Sequence, residues 1–366
     1  MNYPILIHSI LLFTTHEGLN LRAIEWVEDH LRLLDQTKIP HDVTFLEITT
    51  VDQLVDAIVS LAVRGAPALG ATGAYGIVTA IDQGIKENWT EAELEKQILR
   101  IRDARPTAVN LAWGADKARK ELKNGRDAVL TLAHKVAKED EEANRATGKL
   151  GADWLINKVS RKPLRLLTHC NTGMLATTAW GTAFGVIREL HERGLVEKVY
   201  ADETRPLLQG SRLTAWELVQ NKIPHLVLAD GAAASTILRG EVDAALIGAD
   251  RIAANGDTAN KIGSLGVALA CHAAGIPFMV VAPQSTVDLT TKSGDEIEIE
   301  LRDESEILNF NGVRVAPLES RGYNPAFDVT PAKYISAIVT ELGVIEVSKG
   351  ETPANRKQGN EIDHYS

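Results

Sequence analysis

From about residue 160 onwards the apolar positions fall into short, nearly continuous runs, at 164 to 170, 197 to 202, 225 to 230, 244 to 250 and 277 to 283. Stretches with helical spacing separate them, at about 173 to 193, 210 to 221, 232 to 239 and 259 to 274. Unbroken apolar runs predict strands covered on both faces, and their alternation with helices predicts βαβ units in a parallel sheet. One more helix is predicted from Pro331 to Leu342, before Val344-Ile-Glu-Val347 and a polar tail over 348–366 that is expected to be disordered.

The first half has a different rhythm. Residues 23 to 50 read as a small β layer built from Ile24-Glu-Trp26, Leu31-Arg-Leu-Leu34 and Val43-Thr-Phe-Leu-Glu-Ile48. Thr50 or Asp52 then caps a helix through Leu54, Ile58 and Leu61, and a small-residue helix follows Arg64-Gly-Ala-Pro67. Thr90 opens another helix, which stops at Arg105-Pro106, and two more fill 107 to 158. This predicts an α/β protein in which a mainly helical N-terminal domain with a small β layer (21–160) precedes a parallel-sheet domain (161–347). Residues 1–20 are apolar around Pro4 to Phe13 but have no basic stretch before that run, and they are expected to be a loosely ordered extension.

Charge and cysteine content narrow the function classes. A net charge of -10 argues against nucleic acid as a partner, and no run reaches the length of a membrane span. Cys170 and Cys271 have neither zinc-ligand spacing nor the density of a disulfide scaffold, which fits a reducing cytoplasm. There is no Gly-x-Gly-x-x-Gly after the strand at 164 and no Walker motif, so neither a nucleotide cofactor nor a metal is expected.

The candidate chemistry lies at strand ends. In open α/β sheets ligands bind beyond the carboxyl ends of the strands, and Cys170 and Asp250 close the runs at 164 and 244. Cys170 reads either as a small buried hydrophobe or as a thiol activated by the helix expected to start behind it. Asp250 reads either as a turn residue or as an acid. His169 would face away from Cys170 and be structural, and Cys271 would be core. Arg64, Arg105 and Lys261 are each predicted at the start of a helix, where a cation opposes the helix dipole unless an anion binds there.

Five stretches, in order, resemble the methylthioribose-1-phosphate isomerase family. They are Arg64-Gly-Ala-Pro-Ala-Leu-Gly70, Arg105-Pro-Thr107 with Asn110-Leu-Ala-Trp113, Thr168-His-Cys-Asn171, residues 201 to 210, and residues 248 to 263. These isomerases are related to the regulatory subunits of a eukaryotic initiation exchange factor. The resemblance implies a Rossmann-like C-terminal domain, a homodimer, a small phosphorylated sugar as substrate, and no cofactor or metal. It also implies Asp250 as proton donor, Cys170 as support for the transition state, and Arg64, Gly65, Ala66, Arg105, Gln209, Asn260 and Lys261 as substrate contacts. Gln209 comes from the resemblance alone. Asp230-Gly-Ala-Ala-Ala-Ser-Thr236 is richer in alanine than its counterpart in many members, which leaves a 5-deoxy sugar open as the substrate. A non-catalytic regulatory subunit is the alternative from another class.

Overall fold

The computed structural model describes residues 21–106 and 108–356. The expected extension over residues 1–20 lies outside the described residues. The chain opens with an antiparallel meander, β1 (Ile24–Val27), β2 (His30–Leu34) and β3 (Phe45–Ile48). Five helices follow: α1 (Val51–Val59), α2 (Ala66–Glu87), α3 (Glu91–Arg102), α4 (Val109–Arg119) and α5 (Arg126–Lys158). Thr50 and Thr90 cap α1 and α3, and Gln53 and Glu93 return the hydrogen bond in two reciprocal capping boxes. Small residues let α2 be buried along most of its length, at the centre of a core that also takes in β2, α1 and α4.

The second half alternates as predicted up to residue 247. β4 (Leu164–Thr168), α6 (Ala183–Glu192), β5 (Val196–Asp202), α7 (Ala215–Gln220), β6 (His225–Leu228), α8 (Ala233–Leu238) and β7 (Ala244–Ile247) alternate. The chain then leaves the sheet for β8 (Arg251–Ala253) and β9 (Thr258–Lys261) before α9 (Ser264–Ala274) and β10 (Phe278–Val281). A long excursion carries β11 (Val287–Asp288), the short helix α10 (Ser305–Leu308), the hairpin β12 (Asn309–Phe310) and β13 (Val313–Arg314), and β14 (Phe327–Thr330). β15 (Ala337–Thr340) and β16 (Gly343–Ile345) complete a seven-stranded sheet of order β16-β15-β10-β7-β4-β5-β6. All its pairings are parallel except β15 with β16.

Three expectations need correction. The helix predicted over 331 to 342 does not form: residues 332 to 334 make a 3-10 turn, and 337 to 340 are strand β15, whose Ala-Ile-Val-Thr sequence is fully buried beside β10. The helix predicted from 259 begins at Ser264, because residues 258 to 261 pair with β8 and β14 in a second, four-stranded sheet. Part of the tail expected to be disordered is folded: residues 347 to 349 form a 3-10 turn, and Arg356 donates to the Leu342 carbonyl at 2.8 Å. Residues 357–366 lie outside the described residues. Among the described residues no helix is long and apolar enough to cross a membrane.

Candidate active site

β4 and β7 are parallel neighbours, with Thr168 opposite Leu246, so both strands open onto one edge of the sheet. Cys170 lies two residues beyond β4 in the left-handed region, at φ 62°. An L-residue holds that backbone only when its surroundings impose it. Here the Cys170 N–H donates to Thr204 Oγ1 at 2.8 Å, and its carbonyl accepts from Thr214 Oγ1 at 2.6 Å.

The helix expected directly behind Cys170 is displaced. A 3-10 turn, Met174–Ala176, comes first, and α6 starts only at Ala183. Side chains from elsewhere hold the backbone groups of this loop: Asp140 accepts from the Thr178 N–H at 2.8 Å and Glu217 from the Met174 N–H at 2.8 Å. The cation bonded to the thiol is Arg64, and the helix that starts beside it is α2, not α6. Arg64 donates from Nη2 to Cys170 Sγ at 3.6 Å, and from Nη1 to Asn171 Oδ1 at 3.0 Å.

Gly65 explains how a loop from the first half reaches this point. Its φ is 95°, and a Cβ built on it would stand 2.3 Å from the Ala176 carbonyl oxygen, so only glycine permits the contact. Gln36 strengthens the junction by donating to the Leu175 carbonyl at 2.7 Å. Arg64 and Ala66 thus stand where expected, at the start of α2, with Pro67 in its first turn. Arg105 does not stand at a helix start: α4 begins at Val109, after Ala108 as its N-cap. Lys261 ends β9 and is not in a helical first turn.

These positions nevertheless converge electrostatically. Asp250 lies in the turn between β7 and β8, its N–H bonded to the Ala259 carbonyl at 2.9 Å. Asp250 is exposed as a residue, yet protein surrounds its carboxyl in depth. That loss of water raises its pKa; Arg64, Arg105 and Lys261 act against the rise, and Glu300 adds to it. Burial lowers the pKa of Lys261, and Cys170 and Asp250 oppose that shift. Burial also lowers that of Arg105, against Glu300 and Asp250. Thiol, acid and three cations therefore share one site.

Two other expected contacts are buried nearby in the chain. Asn260 is 5% exposed and donates to Ser264 Oγ at 2.8 Å. Gln209 is also 5% exposed, and its Oε1 has no partner among the described residues. A buried amide oxygen in that state calls for a ligand or an ordered water. Sequence reasoning missed Arg302, whose charge reaches Lys261 and Arg105 while its guanidinium is held by Glu306 and Glu300. It lies in the excursion after β10, where no periodicity marks it.

His169 is buried and structural, as expected. Nε2 donates to the Ile262 carbonyl at 2.8 Å, and Nδ1 faces Asp202 Oδ2 at 2.8 Å. The carbonyl fixes one proton on Nε2, so the pair shares the other between Nδ1 and the carboxylate. His169, Asp202 and Asp230 bring potential metal-ligand atoms within 4.8 Å of one another. Most of those atoms are already engaged: Asp230 accepts from the Thr204 and Arg205 N–H groups at 2.7 Å, and both imidazole nitrogens are occupied, while Asp202 Oδ1 alone of the set is buried without a partner among the described residues. The set fits a hydrogen-bonded clamp better than a metal centre. Cys271 is core, its thiol pushed up to about 12 by burial.

The model of the initiation factor 2 subunit family matches residues 62–347. The chain belongs to that family. Within it, the chain falls among the methylthioribose-1-phosphate isomerases. It is 45% identical to the methylthioribose-1-phosphate isomerase of Desulfitobacterium hafniense, over 89% of this chain and 96% of that one. It is 48% identical to a probable bifunctional methylthioribose-1-phosphate isomerase/methylthioribulose-1-phosphate dehydratase of Nocardia farcinica. That match covers 91% of this chain but only 61% of the longer relative. Among solved structures, the 5-methylthioribose 1-phosphate isomerase of Pyrococcus horikoshii superposes with a TM-score of 0.81 at 38% identity, covering 89% of this chain and 92% of that one. A structure from A. fulgidus titled translation initiation factor eIF-2B, subunit delta, gives 0.78 at 40% identity, covering 89% and 96%. The family thus carries both an enzymatic and a translational name.

Proposed function

We propose that the chain is an aldose-ketose isomerase that converts 5-methylthioribose 1-phosphate to 5-methylthioribulose 1-phosphate in methionine salvage. The observation that carries this is an acid of raised pKa sharing one site with a thiol and three cations. A non-catalytic subunit has no need of such a pairing. The substrate's anomeric oxygen carries phosphate, so the ring cannot open freely to an aldehyde. Asp250, whose pKa its surroundings raise, gives its proton to the ring oxygen as the ring opens. Arg64, Arg105 and Lys261 hold the phosphate, and Gln209 and Asn260 the sugar hydroxyls. Hydrogen then moves between C2 and C1, either through an enediol with Cys170 as base or as a hydride shift with Cys170 supporting the developing charge.

In this reading residues 21–160 supply Arg64 and Arg105 from a helical domain, and residues 161–347 form the catalytic domain. The protein works as a cytoplasmic homodimer without cofactor or metal. Turnover of 5-methylthioribose 1-phosphate by chelator-treated protein, compared with 5-deoxyribose 1-phosphate and ribose 1,5-bisphosphate, tests it. Preference for the methylthio sugar is expected. Preference for the deoxy sugar would move the enzyme to another pathway, and no turnover of any of the three would refute the enzymatic reading.

A further inference from the structure

Asn171 holds Arg64 against Cys170 through two groups: its Oδ1 accepts from Nη1 at 3.0 Å and its backbone carbonyl from Nη2 at 3.4 Å, so the way the amide faces decides the shorter of the two contacts. Its Oδ1 must point at Arg64 and its Nδ2 away. On the far side, Nδ2 donates to Glu217 Oε1 at 2.7 Å and to Thr214 Oγ1 at 3.3 Å. Glu217 is 1% exposed, in α7. Its second oxygen accepts from the Met174 N–H at 2.8 Å, and the Leu175 N–H also serves the carboxylate. A Cβ on Gly173 would stand 2.2 Å from both carboxylate oxygens, so the loop backbone lies directly on them. Every hydrogen-bond partner of this carboxylate is a donor. Burial raises the pKa of this carboxylate, and the donors from Asn171, Met174 and Leu175 act against that rise; a hydroxyl there would find no acceptor among them.

We propose that Glu217 is a positioning residue for the isomerase site: its carboxylate sets the orientation of the Asn171 amide and, through it, the placement of Arg64 on the Cys170 thiol. This rests on the reading of Cys170 and Asp250 as the reacting pair. A turned amide would present N–H to N–H at Arg64, leaving the guanidinium only the longer contact to the Asn171 carbonyl and shifting it on the sulfur. Glu217 touches no substrate in this account.

The test moves the carboxylate one residue along the relay. Glu217→Gln keeps the shape but places an amide NH2 among donors, so either Asn171 turns or the Met174 contact breaks. We expect kcat/KM to fall by roughly 10- to 100-fold, mostly in kcat. Asn171→Asp alone sets two carboxylates against each other in a buried site and should cost more. The double variant Glu217→Gln/Asn171→Asp restores the complementarity of the pair: the glutamine NH2 faces the new aspartate, whose other oxygen still holds Arg64, while the long contact to Thr214 Oγ1 is lost because that hydroxyl gives its proton to the Cys170 carbonyl. It should recover at least about fivefold over the worse single variant, a coupling that independent structural damage would not produce.

Wild-type activity in Glu217→Gln, or a double variant that is no better than the worse single variant or does not fold, overturns the proposal. Iodoacetamide alkylation of Cys170, read by mass spectrometry, provides a readout that needs no substrate. A cation beside the sulfur speeds it, so it should slow about threefold or more in Glu217→Gln and recover in the double variant. An inactive wild type with that alkylation pattern intact would sink the functional reading and leave the positioning role standing.

Discussion

The two strand ends at the site are held in opposite ways. Beyond β4, the Cys170 backbone bonds two threonine hydroxyls, Asn171 is shared by Arg64, Thr214 and Glu217, and the following turn bonds Glu217 and Gln36. Beyond β7, the Asp250 carboxyl accepts no hydrogen bond among the described residues and is governed by burial and by surrounding charges. Hydrogen bonds from fixed donors hold a carboxylate in one place and favour its anion against burial, whereas a carboxyl placed among charges without such bonds is less constrained in position and in protonation. The first end fixes a position, and the second is free to change protonation.

Asp250→Asn attacks the second end and should have the largest effect. The amide keeps the shape but has no acidic proton to give, so kcat should fall by about 10³-fold while KM stays within roughly threefold. Wild-type kcat measured across pH should decline as pH rises through the raised pKa of Asp250, because the protonated form is the active one. Near-normal turnover by the variant, or activity that climbs steadily through that range, would remove Asp250 as the acid.

Gly65→Ala attacks the first end from outside the sheet. A methyl 2.3 Å from the Ala176 carbonyl oxygen, on a backbone at φ 95°, forces the Arg64 loop away from the Cys170 loop. We expect a loss of about 2 kcal/mol or more in stability, with kcat/KM down by at least roughly tenfold because Arg64 moves with the loop. A variant as active as wild type would mean that the junction does not set the site.

The contrast also marks how far the sequence could be read. β4, β5, β6, β7 and β10 were legible because buried parallel strands are unbroken apolar runs. The placement of Cys170 and Asp250 on one sheet edge followed from those runs. Lys261 was misplaced in a helix because Thr258-Ala-Asn-Lys261 has no apolar alternation; its extended form depends on pairing with β14, far along the chain. Glu217 and Asn171 were illegible as a pair, since 46 residues separate them and only the loop after Cys170 brings them together. Arg302 was hidden for the same reason: its neighbours Lys261 and Arg105 come from other parts of the chain.

The smallest expected effect sharpens the comparison from the side of the loop's outer anchor. Asp140 in α5 accepts from the Thr178 N–H at 2.8 Å and from the Thr178 hydroxyl at 2.7 Å, and from Asn144 Nδ2 at 2.9 Å, yet burial raises its pKa to about 6. Its side chain is partly accessible at the surface although protein packs deeply around it, so the effect on stability is smaller than full burial would give. A folded-state pKa above the unfolded value means that this group's contribution is fully present below about pH 4 and is lost as pH rises through about 6. Asp140→Asn removes that titration, so between pH 4 and 6 the stability curve should lose a downward slope worth about 1 kcal/mol. Urea unfolding at several pH values measures it. Kinetics should barely respond, since Asp140 holds Thr178 on the outer side of the loop while Glu217 holds the side facing Cys170. A kinetic defect as large as that of Glu217→Gln would show that the loop moves as one rigid piece, and that the first strand end is not set by its inner hydrogen bonds alone.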